Sequence, residues 1–132
     1  MKKTVKQLVE EANSLVETVS IEKARELHGK DDVTFIDIRD VRELERDGQI
    51  PGAVHSPRGM LEFWVDPESP YHKELFASGN KFVFFCAAGW RSALATRTVL
   101  EMGLTNVCHI EGGFGAWRDS DGPIEERKSR VK

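Results

Sequence analysis

Two cysteines, Cys86 and Cys108, are too few to staple a 132-residue chain with a disulfide framework. No apolar run approaches the roughly 20 residues that a bilayer-spanning helix needs. Lys2 and Lys3 are followed by a mixed polar pattern rather than the continuous apolar stretch of an export signal. The chain is therefore expected to be cytoplasmic, with both thiols reduced and no membrane partner. Charge of one sign is also missing: at a net charge of −3 no basic stripe stands out, so no nucleic-acid partner is expected. The histidines, His28, His55, His72 and His109, are scattered without metal-ligand spacing, so neither metal nor cofactor is expected. None of the four stands out as a general base. Internal repeats and low-complexity segments are absent as well.

What is present suits one domain with a real core: 39% hydrophobic and 31% charged residues is an ordinary globular composition. Val5, Leu8, Val9, Ala12, Leu15, Val16 and Val19 recur at spacings of three and four, which predicts an amphipathic helix. A second helix is expected from Ile21, with Ser20 as N-cap and Gly29 just past its end. Val33–Ile38 reads as a buried strand, Glu43–Arg46 as a short helix stopped by Gly48, and Ala53–His55 as a brief strand after the Pro51-Gly52 turn. Pro57–Asn80 reads as loop with helical pieces near Met60 and Tyr71–Phe76. Lys81–Cys86, apolar on both faces, predicts a central strand. A helix from Arg91 to Met102, a buried strand Val107–Ile110 and a brief helix ending near Trp117 complete the pattern. The tail from Asp119 is polar and is expected to fray. Alternation of strands with helices predicts an α/β fold, a parallel sheet covered on both faces.

The segment Cys86-Ala87-Ala88-Gly89-Trp90-Arg91-Ser92 is the one best suited to chemistry. Cys86 closes a buried strand, and ligands in open α/β sheets collect at the carboxyl ends of strands. Backbone N–H groups between the strand and the next helix lack intrahelical partners and converge readily on an anion. Ala87, Ala88 and Gly89 are small enough for the backbone to curl around whatever Cys86 holds. From Cys86 to Leu100 there are arginines, Arg91 and Arg97, and no acid, which favours a thiolate or a persulfide anion. A free cysteine is more often a small buried hydrophobe, but this loop, arginine and helix start together favour a functional one.

On these residues the sequence resembles the rhodanese family over Val19–Trp117. Phe35-Ile36-Asp37-Ile38-Arg39-Asp40 with Gly48-Gln49-Ile50-Pro51-Gly52-Ala53 is similar to the N-terminal signature. Cys86–Ser92 is similar to the active-site loop, and Gly112-Gly113-Phe114-Gly115-Ala116-Trp117 to the C-terminal signature. The resemblance implies a three-layer sandwich, with a central parallel β-sheet flanked by helices. It implies a sulfurtransferase that moves a sulfane sulfur from a donor, such as thiosulfate or a persulfide, to a thiophilic acceptor (cyanide, a thiol or a protein cysteine). The carrier would be a Cys86 persulfide. It divides the chain into a helical extension (1–18), the family domain (19–118) and a polar tail (119–132). Two departures stand out: Gln49 replaces a frequent histidine at a structural position, and the loop interior Ala87–Trp90 carries no charged side chain, which leaves the donor open.

Around Cys86, Arg91 is expected to orient the donor or fix the loop, Ser92 to donate to the persulfide or cap the helix, and Trp90 to shape the pocket mouth. Asp37 and Arg39, at the end of the first strand, read as a buried ion pair or as pocket support. Arg58 is a source of positive charge for the pocket or a solvated surface arginine. Cys108 reads as core. Besides an enzyme, a relay module that receives sulfur on a partner protein fits the same residues. A phosphatase or arsenate reductase fits less well: four residues separate Cys86 from Arg91, and related phosphatases of the same fold have five.

Overall fold

Phe82, Val83, Phe84 and Phe85 carry apolar side chains to both faces of their strand, and a strand greasy on both sides must be covered on both. The computed structural model, which describes Met1–Arg127, places it at the centre of a five-stranded, wholly parallel sheet. The strands are β1 (Glu17–Val19), β2 (Val33–Asp37), β3 (Val54–His55), β4 (Lys81–Phe85) and β5 (Val107–Ile110), in the spatial order β1-β5-β4-β2-β3. The helices are α1 (Val5–Leu15), α2 (Ile21–Leu27), α3 (Val41–Asp47), α4 (Leu61–Val65), α5 (Trp90–Glu101) and α6 (Gly113–Asp119). Two 3-10 turns, Arg58–Met60 and Glu74–Ala77, lie in the irregular stretch before β4.

Side-chain alternation sorts the core into two halves. Phe82, Phe84 and Cys86 point to one face, where Leu61 and Val65 of α4 and Ala95 and Val99 of α5 cover them. Val83 and Phe85 point to the other, with Leu27 of α2 and Phe114 and Trp117 of α6. This is the three-layer α/β arrangement expected from the alternation of elements.

Most predicted elements are found within a residue or two, and their caps act as predicted. The Ser20 side chain accepts from the Lys23 amide, and Gly48 ends α3 with φ 89°. Two expectations are corrected. Val19 does not extend the first helix: α1 stops at Leu15, and Glu17–Val19 form an edge strand whose partners are Cys108, His109 and Ile110. The apolar spacing runs on through Val19, but Val19 reaches the core from a strand beside β5 instead. The tail from Asp119 does not fray as far as it is described. The Trp117 indole donates to the Pro123 carbonyl (2.7 Å), and Gln49 and Glu125 exchange backbone hydrogen bonds of 2.9 Å each way. The last part of the tail, residues 128–132, lies outside the described residues.

Candidate active site

Cys86 follows the last residue of β4, and its side chain is only 1% exposed. Three residues later Gly89 adopts φ +115°, a conformation that side chains disfavour. That twist turns the Gly89 N–H back onto the Cys86 sulfur at 3.1 Å. The Ser92 N–H, in the first turn of α5, points at the same atom from 3.4 Å. Backbone donors at a helix start thus converge on sulfur, an arrangement suited to negative charge there.

The loop is held from below by α6. Phe114 N–H donates to the Cys86 carbonyl (2.8 Å) and Gly115 N–H to that of Ala87 (3.0 Å). Gly113, at φ +58°, permits this approach, because a Cβ there would strike the Cys86 carbonyl oxygen. The C-terminal signature is therefore the floor of the cysteine loop. Ala88 and Trp90 face outward, Trp90 54% exposed.

Arg91 is not free. Its guanidinium donates to both carboxylate oxygens of Glu43 on α3, at 2.8 and 3.0 Å. This pairing raises the Arg91 pKa above its ordinary value, with a smaller push from nearby Cys86, and the same hydrogen bond lowers that of Glu43. Arg58 is likewise paired, with Glu62 one turn along at 2.8 Å. Asp37 and Arg39, each 1% exposed, form a bidentate ion pair. Arg39 also donates to the Gly48 carbonyl (2.9 Å) and lies 4.0 Å above the Phe114 ring. These two residues tie β2 to the end of α3 and to α6, and none of their described hydrogen bonds reaches the cysteine loop.

Behind the sulfur stands a residue that sequence reasoning passed over. Ser92 Oγ lies 3.6 Å from the Cys86 sulfur and 2.9 Å from Nδ1 of His109, which is 2% exposed. His109 Nε2 in turn lies 2.8 Å from Asn13 Oδ1 on α1 and 3.1 Å from Thr18 Oγ1 on β1. Burial lowers the His109 pKa to about 4, so the ring is neutral near pH 7. The register explains the meeting: His109 pairs with Phe84, two residues before Cys86 and on the same face. Only strand register, not sequence spacing, could have pointed to it. Cys108, one residue away, faces the opposite core, and burial pushes its thiol pKa up to about 11. Among the described residues, no group of three His, Cys, Asp or Glu side chains is placed to hold a metal, and no helix is long and apolar enough to cross a membrane.

Comparison with known proteins bears on the family and the fold. The family model for the rhodanese-like domain matches residues 20–120. A mouse protein, thiosulfate sulfurtransferase/rhodanese-like domain-containing protein 3, is 28% identical over 104 residues, 75% of this chain and 66% of its own length. A solved structure from Rhodopseudomonas palustris, a protein of unknown function described as a possible tyrosine phosphatase, is 57% identical, with a TM-score of 0.93 over 95% of this chain and 96% of its own. The polysulfide-sulfur transferase homodimer of Wolinella succinogenes is 28% identical, with a TM-score of 0.68 over 94% of this chain and 88% of its own. With a cysteine loop seated on the C-terminal signature and a family match that spans four of the five strands, β2 to β5, the chain belongs to the rhodanese-like domain family.

Proposed function

We propose that the chain is a sulfurtransferase that carries sulfane sulfur as a persulfide on Cys86. The observation that carries this reading is the convergence of the Gly89 and Ser92 amides on a buried sulfur at the end of β4. In the first half-reaction the Cys86 thiolate attacks the outer sulfur of a donor. A new S–S bond forms, the donor's own S–S bond breaks, and its thiolate or sulfite leaves. In the second, a thiol, a protein cysteine or cyanide attacks the outer sulfur and releases the Cys86 thiolate, a ping-pong sequence. The loop amides stabilise the anion at both stages.

Arg91 and Arg58 are each paired with a carboxylate, and the loop interior carries no charge. That balance favours a persulfide or polysulfide donor over dianionic thiosulfate. It also speaks against the phosphatase reading that the Rhodopseudomonas relative invites, because Glu43 occupies the guanidinium that would grip a phosphate. Both cysteines are unpaired, in keeping with a reducing cytoplasm.

The test is intact mass spectrometry after brief exposure to a persulfide donor and, separately, to thiosulfate. A gain of about 32 Da, one sulfur atom, that cyanide or thiol reverses is expected in the wild type and not in Cys86→Ser. Loading is expected to be faster from the persulfide. No mass gain from either donor, together with hydrolysis of an aryl phosphate that depends on Cys86, would replace this reading with the phosphatase one.

A further inference from the structure

The row Cys86, Ser92, His109, then Asn13 and Thr18, runs without a gap from a buried sulfur to two exposed residues. Its middle member is a neutral imidazole, which has one donor nitrogen and one acceptor nitrogen and can exchange those roles. The neighbours fit both arrangements. Asn13 Oδ1 accepts from Nε2–H at 2.8 Å, whereas the Thr18 hydroxyl, 3.1 Å away, can donate to a bare Nε2.

We propose that His109, acting through Ser92, is a tautomeric proton switch that couples the charge on the Cys86 sulfur to the N-terminal segment α1–β1. This rests on the reading of Cys86 as the sulfur carrier. With a Cys86 thiol, S–H points to Ser92 Oγ, the Ser92 hydroxyl donates to Nδ1, and Nε2–H donates to Asn13. Deprotonation shifts one proton along each link. The thiol proton passes to Ser92, the Ser92 proton to Nδ1, and the Nε2 proton to solvent beside the exposed Asn13 and Thr18. Afterwards Nδ1–H donates to Ser92 Oγ, the Ser92 hydroxyl donates to the sulfur anion, and Thr18 donates to Nε2. The ring is neutral before and after, so no buried imidazolium is required. The net change is one proton released and one thiolate held by a side-chain donor beside the two loop amides. Ser92 touches the reacting sulfur, whereas His109 is a positioning residue. The segment before the family's matched region supplies the outer end of the switch.

No charged group competes for this ring. The side chains that reach it, Asn13, Thr18 and Ser92, are uncharged. Of the charges on the elements packed around it, Glu17 is paired with Lys81, Glu11 with Lys3, Arg91 with Glu43 and Arg97 with Glu101, while Lys6 and Glu10 of α1 are exposed and make no described hydrogen bond to the ring. Cys108 stays protonated through the neutral range.

The experiment is alkylation of Cys86 by iodoacetamide as a function of pH, followed by peptide mapping, on the full chain. It reads only thiolate formation, so it stands or falls separately from sulfur transfer, which the mass-gain assay measures. Ser92→Ala and His109→Gln are expected to slow alkylation about tenfold near neutral pH, the lower end of what a positioned proton-transfer group contributes. The deficit should vanish at strongly alkaline pH, where the thiol ionises unaided. Thr18→Val, at an exposed position, should move the pH–rate curve in the same direction by less. The Ser92→Ala/His109→Gln double variant should be no slower than Ser92→Ala, since both act on one path. Equal slowing at every pH, additive losses in the double variant, or an unmoved curve in Thr18→Val and His109→Gln would overturn the proposal.

Discussion

Gly113 shows how much of the site depends on a hydrogen atom in place of a methyl group. Its left-handed φ of +58° and its contact with the Cys86 carbonyl leave no room for a Cβ. Gly113→Ala is therefore expected to cost about 1–3 kcal/mol, the range for a strained special φ/ψ, and to lower Cys86 loading with it. Urea unfolding and the mass-gain assay measure the two effects. A second single-residue prediction concerns Arg39, whose partner Asp37 is 1% exposed. Arg39→Ala leaves that carboxylate buried and unpaired, at an expected cost of about 3–5 kcal/mol in urea unfolding. The Asp37→Asn/Arg39→Met pair, which removes both charges, should recover part of it. Burial also separates the two thiols: with its pKa held at about 11, Cys108 should resist alkylation in the folded chain and react only once unfolded.

Among the elements, those made by local rules were readable in advance. Ser20 caps α2, Gly48 stops α3, and the apolar run Phe82–Phe85 is central because nothing polar interrupts it. The cysteine loop was readable for the same reason, since its residues are contiguous. What escaped is what tertiary pairing decides. Val16 to Val19 continue the spacing of α1, yet Glu17–Val19 form a strand because β5 offers them backbone partners. Glu43 and His109 escaped as well, brought to the loop by α3 and by strand register from distant parts of the chain. The tail looked mobile because it is polar, yet as far as Arg127 it is pinned by a few contacts. Gly122 lies against the Trp117 indole, where a Cβ has no room. Gly122→Val should push the tail off the ring and lower stability by about 1–3 kcal/mol, the usual cost of overpacking. A change in tryptophan emission together with a lower melting temperature would show it.

For the molecule as a whole, the buried imidazole makes stability depend on pH. In the folded state the His109 pKa lies at about 4, below the ordinary 6.5 that the unfolded chain restores. Above that ordinary value both states are neutral and nothing changes. As pH falls towards 4 the unfolded state takes up a proton that the folded state refuses, so stability declines. The full shift corresponds to about 3 kcal/mol, most of it gone by pH 4. Glu43 acts further down: its lowered pKa gives stability that is present above its ordinary value and lost as pH falls through the depressed one. Urea midpoints between pH 7 and 4.5 should therefore fall in the wild type and fall less in His109→Gln.

The sheet ends in strands of only three and two residues, β1 on one side and β3 on the other. Such borders expose little unpaired backbone, so a foreign chain has almost no template on which to lay an added strand. On the proposed function, a protein taking sulfur from Cys86 would then have to make its acquaintance through side chains at the rim of the loop, where Trp90 stands out, rather than by zipping onto the sheet. Recognition and delivery would share one small doorway.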